Sequence, residues 1–457
     1  MTTPRGTLRR TRRSLVVLAA TGLALTVAGC SPDEDRSGPR GDAGSGGGSA
    51  GKSGTGGGVG GSALGGSGGA IGTGGLGVLG AAGDSTGGAS GGSAGDAGGG
   101  EVGGVSGTID MTFPPSPCPS MNRDLCVQLL TGKHDGFYAI ALDFQGNLLL
   151  GGVTTRNAMD SPSTFVAKYT PNIEPVWVRQ LVDSRDPAKV AADSTGNVFV
   201  LSTKGDFLSK LSPEGEQLWS RQQDIAVGVW NGMTVDQSGD VILAGANDNG
   251  AFLEKYSSSG DALWTKDWGG GQGSEADAVA VDVSGAIFVV TTTPVGGAPN
   301  PAPVALEKCS VTGDVVWSAT LAGAEPTGLG IGPNGDAIVL FNESLSRFIV
   351  RYSSSGHLLW THTLEDDFFT AYALSVDPSG AAFAVGMAND FPGGGYRGVV
   401  AKYSPAGERL WGEELGPSIG DGALGIAAAS NGSAFITGAT WRTPTPDPSA
   451  FITQVSP

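Results

Sequence analysis

Histidine and cysteine are scarce in this chain of 457 residues, at three and four respectively. That leaves little material for a His-rich metal site, and neither a metal nor a cofactor is expected. Positive charge is also thin: 27 Lys and Arg stand against 44 Asp and Glu, for a net charge of −17. Such a balance argues against binding nucleic acid, or an anionic membrane surface, through charge. No apolar run reaches the eighteen or so residues of a membrane-spanning helix, and no segment has helical period and length. No Ser/His/Asp set is suggested by spacing, because His134, His357 and His362 fall in different repeats, so no catalytic residue is assigned.

Glycine, by contrast, is abundant and unevenly placed. Residues 41–107 hold 33 of the 79 glycines. Chain of that composition has few large side chains to offset the entropy of ordering. Residues 30–107 are therefore read as a disordered, low-complexity tether. A Gly-rich coil of this length spans ~50 Å on average and ~250 Å at full extension. Residues 108–124 form a Pro- and Cys-containing entry segment, and 125–457 the folded domain.

The first 29 residues read as a signal peptide. They carry Arg5, Arg9, Arg10, Arg12 and Arg13, no acidic residue, and an apolar run from Leu15 to Val27. The run closes on Val27-Ala28-Gly29-Cys30. This resembles the lipobox of bacterial lipoproteins, which implies that Cys30 is lipidated (palmitate among the acyl groups) and becomes the N-terminus. The lipid would then be the only membrane anchor. Ser31 is compatible with the outer membrane or cell surface, and Thr11-Arg12-Arg13-Ser14-Leu15 resembles a twin-arginine export signal. In an exported protein Cys118 and Cys126 can form a local disulfide.

Within 125–457 two motifs alternate. Six segments place a basic residue nine positions before Trp: Lys168/Trp177, Lys210/Trp219, Lys255/Trp264, Lys308/Trp317, Arg351/Trp360 and Lys402/Trp411. Five of them have Gly five positions after the basic residue, as a hairpin turn with positive φ requires. The first has Ile173 there, with Pro171-Asn172 expected to serve the turn. Between these hairpins an apolar strand, a turn ending in Gly and a second apolar strand recur, the glycines lying at 146, 196, 239, 285, 335, 380 and 432. Five of those turns begin with Asp (Asp143, Asp193, Asp236, Asp282, Asp377), which an Asp accepting backbone N–H bonds explains without Ca²⁺.

Short strands at a spacing of about 48 residues, four to a unit, make an all-β, seven-bladed β-propeller. The last repeat stops at Pro457, before its outer strand. Leu125–Leu130 is expected to supply that strand beside Phe451, closing the ring with both chain ends. The repeats resemble β-propeller repeats of exported bacterial proteins, a likeness that implies architecture and not activity. Gly260-Asp-Ala-Leu-Trp264 resembles the docking motif of quinoprotein propellers but lacks their adjacent Cys pair, and the hairpins resemble sialidase Asp-boxes without the Asp. The repeated Trp residues are read as packing between blades. Cys309 stands where other repeats have Tyr169, Tyr352 and Tyr403, and is read as an inert core residue.

The connections from each outer strand to the next inner strand open on one face and are acidic. They carry Asp135, Asp183, Asp186, Asp224, Glu275, Asp277, Glu365, Asp366, Asp367 and Asp421, with Trp230, Trp268, Phe368 and Phe369 among or beside them. Asp135, Glu275, Asp277, Glu365, Asp366, Asp367 and Asp421 form the candidate ligand face, for an envelope protein, a glycan or a cation. A solvated acidic surface is the plainer reading. The chain is thus expected to be a cell-envelope lipoprotein with a non-catalytic binding or scaffolding propeller; the alternative is an extracellular enzyme acting on polysaccharide, a lyase or hydrolase. Changing Cys30 to Ala should move the protein from the membrane fraction to the soluble fraction, and unchanged attachment would contradict lipidation.

Overall fold

A computed structural model of the chain describes residues 105–108, 116–117, 126–129, 133–155, 163–181, 188–202, 207–222, 228–270, 273–293, 304–321, 325–343, 346–364, 370–390, 395–415, 422–440 and 449–456. Cys30, Cys118, Glu365, Asp366, Asp367 and Asp421 lie outside these residues, as do Phe368, Phe369 and most of the Gly-rich segment. For Cys126 and Asp135 only the strand position is described. All the described residues belong to one compact unit, Gly66–Pro457.

Their regular structure is entirely strand, arranged as seven antiparallel sheets in a ring: the chain is an all-β, seven-bladed β-propeller. The innermost strands of blades 1 to 7 are Lys133–Leu142, Ala188–Ala192, Val229–Val235, Glu275–Val281, Glu325–Ile331, Thr370–Val376 and Gly422–Ala428. Each blade then runs outward through two further strands to an outer one, which in blades 1 to 6 is half-exposed and bears the Trp. The second strand of each blade is apolar on both faces, since neighbouring blades cover both. Val198–Ser202 is buried at every position for this reason.

Closure follows the sequence expectation. Cys126–Leu129 pairs antiparallel with Ser449–Val455, Gln128 facing Phe451, and so completes blade 7. Two further strands lie outside the basic plan. Val105–Thr108 pairs with the outer strand of blade 1, Val105 facing Leu181, so pairing begins within the last residues assigned to the tether. Ser116–Pro117 pairs with Cys126–Leu129 at the rim of blade 7. The segment entering the domain therefore covers the outer edges of two blades.

The two repeated sequence motifs meet in space. Lys168 Nζ lies 2.9 Å from Asp143 Oδ2, Lys210 Nζ 3.2 Å from Asp193, Lys255 Nζ 2.7 Å from Asp236, Lys308 Nζ 3.5 Å from Asp282, and Lys402 Nζ 3.3 Å from Asp377. The same carboxylate accepts backbone N–H bonds in its own turn; Asp193 Oδ1 takes those of Thr195 at 3.0 Å and Asn197 at 2.9 Å. Burial alone would raise the Asp193 carboxyl, but hydrogen bonds from Thr195, Asn197 and Lys210 outweigh it and hold the group below its ordinary value. The lysine also reaches the next blade. Lys168 Nζ and Trp177 Nε1 both donate to the Pro213 carbonyl, at 3.4 and 2.9 Å. Lys210 and Trp219 share the Ser258 carbonyl, and Lys308 and Trp317 that of Ser354. Five of the six indoles then support the hairpin glycine of the next blade: a Cβ on Gly215 would stand 2.8 Å from Trp177. Those glycines are needed both for their positive φ and for this contact.

The exceptions compensate each other. In blade 5, Gly332 replaces the turn Asp and Arg351 replaces Lys. Asp336 supplies the carboxylate, at 3.3 Å from Arg351 Nε and 3.1 Å from Nη2, while Arg351 Nη1 donates to the Gly380 carbonyl of blade 6 at 2.8 Å. A Cβ on Gly332 would approach that guanidinium to 3.0 Å, so the larger cation and the smaller turn residue belong together. Blade 7 loses both charges at once: Ala429 opens its turn, and Gln454 donates to Ser433 Oγ at 2.9 Å.

Blade 7 has no Trp to support the first hairpin of blade 1. Contrary to the expectation that Pro171-Asn172 would spare Ile173, Ile173 itself adopts the left-handed conformation, φ 60°, and closes the same turn through its N–H to the Thr170 carbonyl at 2.9 Å. Its side chain is buried beside Ala450 and Ile452 of blade 7, filling space that an indole occupies elsewhere. The backbone strain costs about 1–3 kcal/mol, and the buried side chain is worth about 2–5 kcal/mol. Ile173→Gly should therefore lower stability by about 1–3 kcal/mol in chemical denaturation; a gain in stability would show that the side chain fills no gap.

Candidate functional site

A propeller's innermost strands line its central channel, and their register decides which side chains enter it. In six blades the pairing of the first strand with the second skips one residue: Tyr138, Asn231, Asp277, Thr327, Tyr372 and Leu424 in blades 1, 3, 4, 5, 6 and 7. Each stands five positions before the residue that opens the following turn. A β-bulge of this kind sets two residues against one and re-aims the extra side chain. All six are part-exposed, while the preceding residue, such as Phe137, Trp230 or Ala276, is buried between blades. On an innermost strand the open surface is the channel, so the six bulged residues form a ring around it.

Blade 2 departs from this plan. Its innermost strand pairs without a shift, Lys189 facing Leu201. The position that Lys189 occupies, four before the turn, holds Ala139, Gly232, Ala278, Gly328, Ala373 and Gly425 in the other blades. Small residues there let neighbouring inner strands approach: a Cβ on Gly328 would lie 2.7 Å from Leu374 Cβ, and one on Gly425 3.2 Å from Ile140 Cγ2. Packing asks for Gly or Ala at this place, and blade 2 has an ammonium.

The charged groups of the ring interact. Burial pushes the Lys189 ammonium below its ordinary value, and the Asp277 carboxylate, two blades away, partly offsets this. Lys189 keeps part of its surface open and is nonetheless crowded by protein. It has no direct hydrogen-bond or ion-pair partner among the described residues. Burial likewise pushes the Asp277 carboxyl up to about 7; the Thr292 hydroxyl, donating to it at 2.6 Å, opposes the rise, the Glu275 charge adds to it, and Lys189 opposes it. Glu275, the first residue of the same strand, is also raised by burial, against a hydrogen bond from Asn231 Nδ2 at 3.5 Å. Across the channel, burial raises the Tyr138 and Tyr372 hydroxyls.

Of the sequence-derived face, the structure thus brings Glu275 and Asp277 together and places Asp135 on the innermost strand of blade 1. Trp230, expected beside the acidic loops, is instead buried between blades, where its Nε1 donates to Glu254 Oε2 at 2.9 Å. Trp268 packs part-buried on the outer strand of blade 3. Cys309 is a buried core thiol that burial pushes up to about 12. Among the described residues no three His, Cys, Asp or Glu side chains are grouped so as to hold a metal. Lys189, Asn231 and the tyrosines were not singled out by sequence reasoning. An alignment of the seven repeats on their turns carries the signal for Lys189, as the one long side chain in a Gly/Ala column.

No protein-family model matches the chain, and no curated protein matches it. Among solved structures, a catalytically inactive virginiamycin B lyase from Staphylococcus aureus with quinupristin superposes with a TM-score of 0.50 at 14% identity, covering 72% of this chain and 99% of that one. A streptogramin B lyase gives 0.49 at 15% identity, over 72% and 97% of the two chains. The Dos1 propeller gives 0.45 at 9% identity, over 73% and 95%. At 14% identity the first of these likenesses bears on the propeller architecture alone and carries no chemistry across.

The raised carboxyl has a consequence for stability. The ordinary Asp value is 3.8, and in the folded chain Asp277 stands at about 7. Its ionisation therefore costs stability progressively as pH rises between these values, and the full cost applies above the upper one. Asp277→Asn should stabilise the fold by about 1–3 kcal/mol in mildly alkaline buffer and leave it unchanged near the lower value. Thermal unfolding of both proteins across that range checks this; a pH-independent difference would contradict the burial of the charge.

Proposed function

We propose that the chain is an exported lipoprotein, anchored to the cell envelope through Cys30, whose propeller binds a ligand at the mouth of its channel without turning it over. The anchoring reading rests on the Arg-rich start, the short apolar run and its closure on Cys30. The described residues contain no helix long and apolar enough to cross a membrane. The observation that carries the binding reading is Lys189: an ammonium with no direct hydrogen-bond or ion-pair partner among the described residues stands in a position where six other blades have Gly or Ala. Partial desolvation of that charge costs stability, and a ligand that satisfies it recovers the loss. Glu275 and Asp277, whose charges interact with each other and, for Asp277, with Lys189, add acceptors to this reading of the site.

The test is co-sedimentation of the detergent-solubilised full chain with purified envelope polysaccharide and with envelope proteins, comparing wild type with a Lys189→Ala/Asp277→Ala double variant. A loss of affinity of about ten-fold or more in the variant, with the ligand recovered unmodified, is the expected result. Equal binding by both proteins would remove the channel from the site, and time-dependent cleavage of the ligand would overturn the non-catalytic reading.

A further inference from the structure

We infer that the channel ring is a saccharide subsite, with a polar arc that holds the hydroxyls of one sugar ring and an apolar arc that packs against its C–H face. This rests on the binding reading above and names its ligand class. The ring is divided by blade order. Blades 2 to 5 contribute Lys189, Asn231, Asp277 and Thr327, a run that offers a donor, an amide with both functions, an acceptor and a hydroxyl. Blades 6, 7 and 1 contribute Tyr372, Leu424 and Tyr138, an arc of two aromatic side chains flanking an aliphatic one. A pyranose has the same division, with hydroxyls around its edge and a face of C–H groups.

Other ligand classes fit less well. A divalent cation needs several oxygen ligands and is repelled by Lys189, and no group of three acidic or His side chains is present among the described residues. An anion meets Glu275 and Asp277. A basic peptide side chain meets Lys189. A purely apolar ligand would strip water from the lysine and carboxylates and return no hydrogen bond. A neutral polyhydroxyl compound satisfies each of these groups: it accepts from the ammonium, donates to the carboxylates, does both with the Asn231 amide, and donates to the Thr327 hydroxyl, whose own proton goes to the Leu340 carbonyl at 3.3 Å. Both tyrosine hydroxyls stay protonated, since burial raises them above their ordinary value, so the opposite arc adds no charge. Lys189 and Asp277 interact electrostatically across two blades without a direct ion pair among the described residues, so both can meet a ligand edge.

The experiment is saturation-transfer NMR on the full chain in a sugar-free detergent, with glucose, galactose and N-acetylglucosamine as probes at millimolar concentration. Transfer should concentrate on the ring C–H protons of at least one probe. Lys189→Ala restores the small residue of the other blades and should fold at least as stably as the wild type, yet weaken that sugar about ten-fold or more. Tyr372→Phe keeps the aromatic face and should retain transfer, which Tyr372→Ala should abolish. Absence of transfer to all three probes overturns the subsite, as does undiminished binding in Lys189→Ala. Inorganic phosphate or Ca²⁺ displacing the sugar by binding the ring directly would overturn the ligand class. If envelope material still co-sediments through Lys189 while no sugar ring binds, the channel-binding reading stands and the saccharide assignment falls.

Discussion

One buried contact organises the domain: a turn carboxylate, the basic residue of the same blade, and a carbonyl oxygen of the next blade. Lys168 with Asp143 and the Pro213 carbonyl is the plainest instance. Removing an ion pair from water is costly, and the pair's attraction alone does not repay it. Here the carboxylate also takes the N–H bonds of its turn, and the ammonium also meets a carbonyl that it shares with the Trp indole. Every polar atom in the cluster is answered, which is the condition under which such a cluster specifies a structure. Because the cation links one blade's turn to the next blade's hairpin, the contact sets the relation between blades as well as the shape of each.

Where the contact is missing, its parts are missing together. Ala429 and Gln454 remove acid and base from blade 7 in one step, so no charge is stranded. Blade 7 also borrows its fourth strand from the start of the domain, and with it loses the indole that supports the neighbouring hairpin. Ile173 answers that loss from blade 1, at the expense of a left-handed backbone that Gly adopts elsewhere. Strain is tolerated at the one seam where the repeat cannot be regular.

The channel reads differently. Its bulged positions are constrained in geometry and free in chemistry: the blades agree on where the extra residue sits, and place Tyr, Asn, Asp, Thr or Leu there. The architecture thereby separates a part that holds the ring together from a part that can be varied for binding. Lys189 crosses this division, since it stands in the packing column and carries a charge into the channel.

Much of the fold was legible from spacing alone. The intervals between Lys, Gly and Trp, and between Asp and Gly, are local properties of hairpins, and local properties survive in sequence because turn chemistry demands particular residues at particular offsets. The truncated last repeat pointed to closure by Leu125–Leu130 for the same reason: an unfinished unit needs a strand. Two things depended on tertiary structure. That Asp143 and Lys168 are partners, some twenty-five positions apart, follows only when a sheet brings its first turn under its third strand. The site followed only from register, since a one-residue bulge decides whether Asp277 faces the channel or the adjoining blade, and such shifts leave no mark in composition.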